Sequence, residues 1–219
     1  LARHWRDWPT FWGRGLRAGL VALAIGAPWW LRNAVVYGNF DVLAKAAHDA
    51  IVVGQPRTSE WIAQFGLGGT VDQFLTTTFR SFWGQFGWMA LPMLNPWWLY
   101  PLLGLLMAAG AAGLLWTAWR KRRVLVTQTA VPVWLLLLSA LLTLAVHVGY
   151  NLTFVQHQGR YLFPALIPIG LGLTVGLGAW IRPLAGRAPW LPNLLPLGLG
   201  FFLFALDWYA LFRIIIPNL

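Results

Sequence analysis

The chain has 219 residues, of which 58% are hydrophobic, 10% are charged and 16 are Trp. Soluble domains carry about 25% charged residues, so this composition excludes an ordinary water-soluble domain. The net charge of +10 does not predict a nucleic-acid partner, because the basic residues stand between apolar runs and form no groove with interleaved aromatic residues. With no Cys, the chain has no disulfide, thiolate metal ligand or thiol nucleophile.

Five apolar runs have lengths typical of membrane spans, which need roughly 20 residues. They cover residues 15–31, 97–119, 124–148, 161–181 and 191–216. Pro132 lies inside the third run and is tolerated there, since neighbouring helices can satisfy the carbonyl groups that a proline leaves free. The runs predict an all-α fold, a polytopic transmembrane helix bundle of about five spans that forms a single transmembrane domain.

The segment 32–91 between the first two spans has an amphipathic pattern. Within "TVDQFLTTTFRSFWGQFGW", one helical face collects five apolar side chains: Val71, Phe74, Leu75, Phe79 and Phe82. This pattern predicts either a helix lying on the membrane surface or a helix packed against the bundle from outside.

The basic residues predict how the chain is oriented in the membrane. If the N-terminus is cytoplasmic, that side holds ten: Arg3, Arg6, Arg14, Arg17, Arg120, Lys121, Arg122, Arg123, Arg182 and Arg187. The other side holds six: Arg32, Lys45, Arg57, Arg80, Arg160 and Arg213. Because short cytoplasmic loops are enriched in Lys and Arg, we expect a multi-pass protein of the cell's inner (plasma) membrane with a cytoplasmic N-terminus. Segment 32–91 then lies on the outer face.

The histidines do not predict a metal centre, because His4, His48, His147 and His157 share no metal-ligand spacing. His147 lies within the third span, where a histidine could ligate a pigment or haem. A lone histidine in a helix is more often a hydrogen-bonded packing residue. No cofactor is predicted, although a divalent metal stays open.

Asp207 is an ionisable residue inside the fifth span. It lies about nine residues before the end of that span, which is roughly 13 Å along a helix. A carboxylate at such a depth is costly unless it is paired or hydrated, so Asp207 is a candidate intramembrane polar site. The alternative is a hydrogen-bonded packing residue beside Trp208 and Tyr209.

A polar stretch, Gln156 to Arg160, precedes the fourth span. The planar guanidinium of Arg160 suits phosphate oxygens. The side chains of Gln156, His157 and Gln158 offer donors and acceptors for sugar hydroxyls or a diphosphate. The alternative is that Arg160 and its neighbours only anchor the span among lipid headgroups.

Three motifs, "APWWLRNAVVYGNF", "RSFWGQFGW" and "HQGRYLFPALIPIGLGL", occur in this order between residues 27 and 173. Together they resemble the later half of polytopic bacterial glycosyltransferases of the GT-C superfamily, of the family 39-like kind related to protein mannosyltransferases and aminoarabinose transferases. The resemblance implies transfer of a sugar from a polyprenyl-phosphate donor on the non-cytoplasmic face. The arginine and tyrosine of the family's "GRYLFP" motif match Arg160 and Tyr161. Together with His157 and Gln158 of the polar stretch, these residues form the predicted substrate-binding region.

The chain departs from this family at the catalytic acid, which such enzymes carry in their first outer loop. None of the acids in segment 32–91, namely Asp41, Asp49, Glu60 and Asp72, matches that position. The chain begins with Leu1 and has no signal-peptide pattern, so we expect part of a longer chain.

Two functions follow from these observations. The first is a lipid-linked sugar transferase. The second is a non-catalytic structural subunit of a larger membrane complex, held in place by Trp-rich and Gly-rich helix faces. The small residues in "GLLMAAGAAGLL" (104–115) allow close helix contact and are compatible with either function. Membrane lipids are expected partners in either case.

Overall fold

The computed structural model describes residues 8–52, 54–125, 127, 131–186 and 188–218. These residues are almost entirely helical, with one two-stranded hairpin among them. Five described segments are long and apolar enough to cross a membrane: Trp12–Tyr37, Leu99–Arg120, Val131–Asn151, Gly159–Gly186 and Leu191–Asn218. The predicted all-α, multi-pass fold is confirmed.

The chain forms two compact units, Leu1–Gln55 and Pro56–Leu219. The first contains α1 (Trp8–Tyr37) and the short helix α2 (Lys45–Ile51). The carboxylate of Asp41 accepts the backbone N–H groups of Lys45 and Ala47 at 2.8 and 2.9 Å. These bonds satisfy amides of the first turn of α2, which otherwise lack partners, and so fix where α2 begins.

The second unit contains four of the five spans. Its elements in chain order are α3 (Thr58–Trp83), β1 (Gln85–Phe86), β2 (Leu91–Pro92), α4 (Leu99–Arg120), α5 (Arg122–Leu125), α6 (Val131–Asn151), α7 (Leu166–Ile181) and α8 (Leu191–Ala210). Short 3₁₀ segments, Gly159–Ala165 and Arg182–Gly186, flank α7. A π-helical turn, Leu211–Ile215, continues α8 and leads into Ile216–Asn218.

The third span begins later than the sequence predicts. The hydrophobic run suggests a start at residue 124, whereas α6 begins at Val131. Pro132 therefore lies in the first turn of α6, where a missing backbone N–H costs no helical hydrogen bond. Residues 126 and 128–130, also within the predicted span, lie outside the described residues.

Helices α4 and α7 pack closely through glycines. A Cβ atom added to Gly113 would overlap the carbonyl oxygen of Gly176, and one added to Gly176 would overlap that of Gly110. The Trp180 indole N–H also donates to the Ala109 carbonyl at 2.9 Å. The small residues of segment 104–115 thus allow close approach of two helices within this unit.

Helix α3 is the amphipathic helix that the sequence predicts. Its apolar face is divided, because Phe74, Phe79 and Phe82 contact other elements while Val71 and Leu75 are exposed. Phe79 lies near Tyr100 of α4, and Phe82 contacts Phe163 before α7. Of the two predicted arrangements, the helix packed against the bundle describes these contacts.

A buried apolar cluster joins the hairpin to the helix ends. Its members come from the loop after β2, from α4, from α8 and from the π-helical turn: Met93, Leu99, Tyr100, Leu103, Leu206, Ala210 and Ile214. The Tyr100 hydroxyl donates to the Gly84 carbonyl at 2.7 Å and accepts the Met93 backbone N–H at 2.9 Å. These bonds satisfy buried backbone groups on both sides of the hairpin and fix it against α4.

Candidate functional site

The second unit has two ends with different charge. At the end that holds α3 and the hairpin are Arg57, Arg80, Arg160 and Arg213, together with Glu60, Asp72 and Asp207. The described residues at the other end are Arg120, Lys121, Arg122, Arg123 and Arg182, with no acidic residue among them. Within this unit, the basic excess therefore lies at the end that the orientation rule predicts to be cytoplasmic. Arg3, Arg6 and Arg187, which also entered that prediction, lie outside the described residues.

Asn151, the last residue of α6, holds the loop that leads to Arg160. Its buried side-chain amide donates to the carbonyls of His147 and Gln156 at 2.9 and 3.0 Å. Its carbonyl oxygen accepts the Gln156 backbone N–H at 2.8 Å. The Asn-Leu-Thr tripeptide that begins here resembles a glycosylation acceptor. The Asn151 side chain is, however, buried and hydrogen-bonded through both its nitrogen and its oxygen.

His147, in α6, and His157, in the loop, both pack against α3. Both are buried, and the Phe74 ring stacks on His147 and meets His157 edge-on. The Thr78 hydroxyl lies 3.3 Å from Nε2 of His147 and donates to the His157 carbonyl at 3.2 Å. His147 thus has the surroundings of a packing residue. Burial lowers the pKa of His157 below its ordinary value of 6.5, and the neighbouring His147 lowers it further.

Gly159 fixes the loop against α3. A Cβ atom at this position would overlap the Thr78 carbonyl oxygen and lie 2.5 Å from the Phe82 backbone nitrogen. The Gly159 N–H also donates to the Ser81 hydroxyl at 2.7 Å. Only glycine permits this approach. The next residue, Arg160, is thereby held at a defined position and is exposed.

Arg160 lies beside two aromatic rings. Its guanidinium carbon is 5.7 Å from the ring centres of both Trp88, at the hairpin turn, and Tyr161. Trp88 is 88% exposed, so Arg160 remains accessible next to it. The Tyr161 hydroxyl accepts a hydrogen bond from the side-chain amide of Gln156 at 2.8 Å.

Arg160, Gln158 and Asp207 line one cleft of about 450 Å³ between the hairpin and the end of α8. We call it the Arg160 cleft. Asp207 is exposed, and within the described part of the chain its carboxylate has no hydrogen-bond or ion-pair partner. Asp207 thus presents its carboxyl group to the cleft, and among the described residues this group has no hydrogen-bonded packing partner of the alternative kind. His157 and Tyr161, the other predicted substrate-binding residues, are not among the residues that line it.

The end of α3 and the hairpin supply cleft residues that the sequence did not predict. Trp83 and Gln85 line the cleft, and each has a buried polar atom without a hydrogen-bond partner among the described residues: the Trp83 indole nitrogen and the Gln85 side-chain oxygen. At the turn, Trp88 and Met89 have left-handed backbone angles, with φ of 54° and 77°. Such angles are strained for non-glycine residues and concentrate at functional sites. The available signal was the Gly84 and Gly87 pair around Gln85, which is typical of a turn.

The described residues contain no group of three or more His, Asp or Glu side chains that could hold a metal ion. Comparisons of the chain with protein-family models, with curated proteins and with solved structures found no match. The chain's own residues define a multi-pass membrane protein, and its second unit has a charged cleft at one end.

Proposed function

We propose that this chain is part of a membrane glycosyltransferase of the GT-C kind, which moves a sugar from a polyprenyl-phosphate donor on the non-cytoplasmic face of the plasma membrane. In this proposal the Arg160 cleft receives the phosphate and sugar of the donor. The observation that carries the proposal is the shared cleft of Arg160, Gln158 and Asp207.

The chemistry of the three side chains suits a sugar phosphate. The guanidinium of Arg160 forms paired, charge-assisted hydrogen bonds with phosphate oxygens. Gln158 offers both a donor and acceptors, and Asp207 offers acceptors for hydroxyl groups.

The position of the cleft supports a lipid-linked donor. Arg160 is the second residue of the apolar segment Gly159–Gly186, and Asp207 belongs to the last span. A polyprenyl chain can therefore remain in the bilayer while its phosphate lies at the headgroup level. The basic residues 120–123 at the opposite end support a non-cytoplasmic position for the cleft.

The alternative function is that of a structural subunit. The small residues of segment 104–115 serve either function. Gly110 and Gly113 are buried against α7 of the same chain, so they are not available to a partner. Ala111 and Ala112 are exposed and remain accessible to another subunit.

Binding of undecaprenyl phosphate to the purified protein in nanodiscs tests the proposal. A charge-assisted contact contributes about 1.5–3 kcal/mol, so Arg160→Ala should weaken binding about tenfold or more. Arg160→Lys retains the charge without the fork and should bind with intermediate affinity. Arg182→Ala, at the opposite end, is the matched control and should bind as the wild type does.

Two results would contradict the proposal. If Arg160→Ala accumulates poorly but binds the lipid normally per molecule, Arg160 is only a membrane anchor. If the wild-type chain does not bind undecaprenyl phosphate, the structural-subunit function is favoured.

A further inference from the structure

A second cleft, of about 610 Å³, lies between the strand β2 with its following loop and the last turns of the chain. We call it the Arg213 cleft. Its polar lining comes from Asn95, Tyr209, Arg213 and Asn218, and its apolar lining includes Leu91 and Leu94. It shares no lining residue with the Arg160 cleft.

Three polar side chains of this cleft form no hydrogen bond with a described residue. Arg213 is exposed, and within the described residues its guanidinium has no hydrogen-bond, ion-pair or aromatic partner. The Tyr209 hydroxyl and the Asn95 side-chain amide likewise form no hydrogen bond to a described residue. All three can donate hydrogen bonds, so together they offer donors to an anion.

The backbone that carries Arg213 is unusual. Residues Leu211–Ile215 form a π-helical turn at the end of α8, and such turns are rare and frequently occur at functional sites. Ile214 is buried in the apolar cluster, and the Tyr209 ring packs against the same cluster. The cluster therefore holds the residues on either side of Arg213 in place while Arg213 remains exposed.

The cleft lies where a lipid headgroup would be. The apolar segment Leu191–Asn218 ends within it, so Arg213 belongs to the last turns of a membrane span. Leu94 is 56% exposed beside Asn95 and extends the apolar surface of the cleft. A ligand that is polar at one end and apolar at the other matches this lining.

The charge of the lining residues also determines which lipid headgroup the cleft can bind. No carboxylate is among its described lining residues, whereas Asp207 lines the neighbouring cleft. A headgroup that carries a cation, such as choline, would find no counter-charge here. A headgroup with net negative charge is attracted by Arg213, and no carboxylate of the described lining residues opposes that attraction.

We propose that the Arg213 cleft binds the phosphate of an anionic phospholipid, with paired hydrogen bonds from Arg213 and further donors from Tyr209 and Asn95. The acyl chains of that lipid lie along the apolar side of the cleft and the last span. This site does not depend on the proposed function, since neither Arg160 nor a sugar takes part.

Native mass spectrometry of the detergent-purified protein, titrated with phosphatidylglycerol or phosphatidylcholine, tests this site. We expect one phosphatidylglycerol to bind saturably and more tightly than phosphatidylcholine. Arg213→Gln should weaken its binding about tenfold or more. Arg213→Lys should weaken it less, because lysine keeps the positive charge but cannot form the paired hydrogen bonds of a guanidinium. Arg182→Gln is the matched control, an exposed arginine at the opposite end of the unit, and should retain phosphatidylglycerol fully.

Three outcomes would overturn the proposal: unsaturable binding, equal binding of the two lipids, or unchanged affinity in Arg213→Gln. A further arm adds inorganic phosphate; displacement of phosphatidylglycerol by phosphate at millimolar concentration would assign the site to a soluble anion and overturn the lipid assignment. If Arg213→Gln does not accumulate, the double variant Tyr209→Phe, Asn95→Ala replaces it. That variant must also weaken phosphatidylglycerol binding, and full retention of the lipid would again refute the site.

Discussion

The Arg160 cleft and the Arg213 cleft lie at the same end of the second unit and are both lined by the last turns of the chain, yet their charges differ. Asp207 and Ala210, three residues apart, line the first; Tyr209 and Arg213, four residues apart, line the second. Residues at these spacings share a helical face. One helix end thus presents an anionic face, with Asp207, to the first cleft and a cationic face, with Arg213, to the second; the first cleft gains its positive charge from Arg160 of another segment.

The largest expected effect concerns the side of the membrane on which both clefts open. The chain has no Cys, so single cysteines can be introduced without background. Cysteine at Gln158 and at Asn95 should both be labelled by a membrane-impermeant reagent in intact cells, whereas cysteine at Lys121 should not. The opposite pattern would reverse the predicted orientation, and labelling of only one cleft position would separate the two clefts.

Met93 is the buried residue whose loss should damage both clefts together. It is completely buried in the cluster that holds the hairpin. Met93→Ala should lower the free energy of unfolding by about 2–5 kcal/mol, because truncation leaves a cavity. Thermal unfolding in detergent measures this, with the exposed neighbour Leu94→Ala as the control. Loss of lipid binding at one cleft alone would show that the hairpin does not stabilise both.

Gly159→Ala should affect the Arg160 cleft alone. The added methyl group would overlap the backbone of α3, and forcing extra atoms into a packed site costs about 1–3 kcal/mol. Binding of undecaprenyl phosphate should weaken while binding of phosphatidylglycerol is retained. Gly149→Ala is the control, because a methyl group there meets no atom within 4 Å. Equal loss at both clefts would contradict the separation.

Acidification should also distinguish the clefts. Because the folded-state pKa of His157 is lowered, the unfolded chain binds the proton more readily. Stability at this loop is therefore complete above about pH 6.5, the ordinary pKa, and is lost as pH falls below it. The protection factor of the 152–158 loop, which is its hydrogen exchange relative to the intrinsic rate at the same pH, should fall from pH 7 to pH 5, while that of the last helical turns should change less. His157→Gln should remove the difference; its persistence would exclude His157 as the cause.

The smallest effect is expected from Asp207→Asn. Asp207 is exposed and without a partner among the described residues, so its replacement should change stability by no more than about 0.5 kcal/mol. It should nevertheless remove the one carboxylate that distinguishes the described lining of the two clefts. Native mass spectrometry should then detect a second bound phosphatidylglycerol, which the added variant Arg160→Gln should abolish. A large loss of stability would reveal a structural partner for Asp207.

The spans could be predicted because hydrophobicity over some 20 residues is a local property of the sequence. The exposure of Arg160 also followed from a local signal, its position next to an apolar run. The clefts could not be predicted, because they depend on contacts between distant segments. Asp207 lies 47 residues after Arg160, and no sequence period joins them.

His157 illustrates the same limit. Its neighbours in the sequence are polar, which suggested a substrate contact. In the structure, Phe74 and Thr78 cover it from a helix some 80 residues earlier. The hairpin was missed because its strands have two residues each, too short for a periodic pattern.

The glycine contact between α4 and α7 has a consequence for how the protein is made. The two helices run in the same direction and are separated in the sequence by α6, so Gly113 is synthesised 63 residues before its partner Gly176. At ordinary translation rates, the interval between them is roughly 3–13 s. During that interval the glycine face of α4 lacks its partner helix. A chain whose synthesis ends before α7 leaves that face uncovered in the membrane.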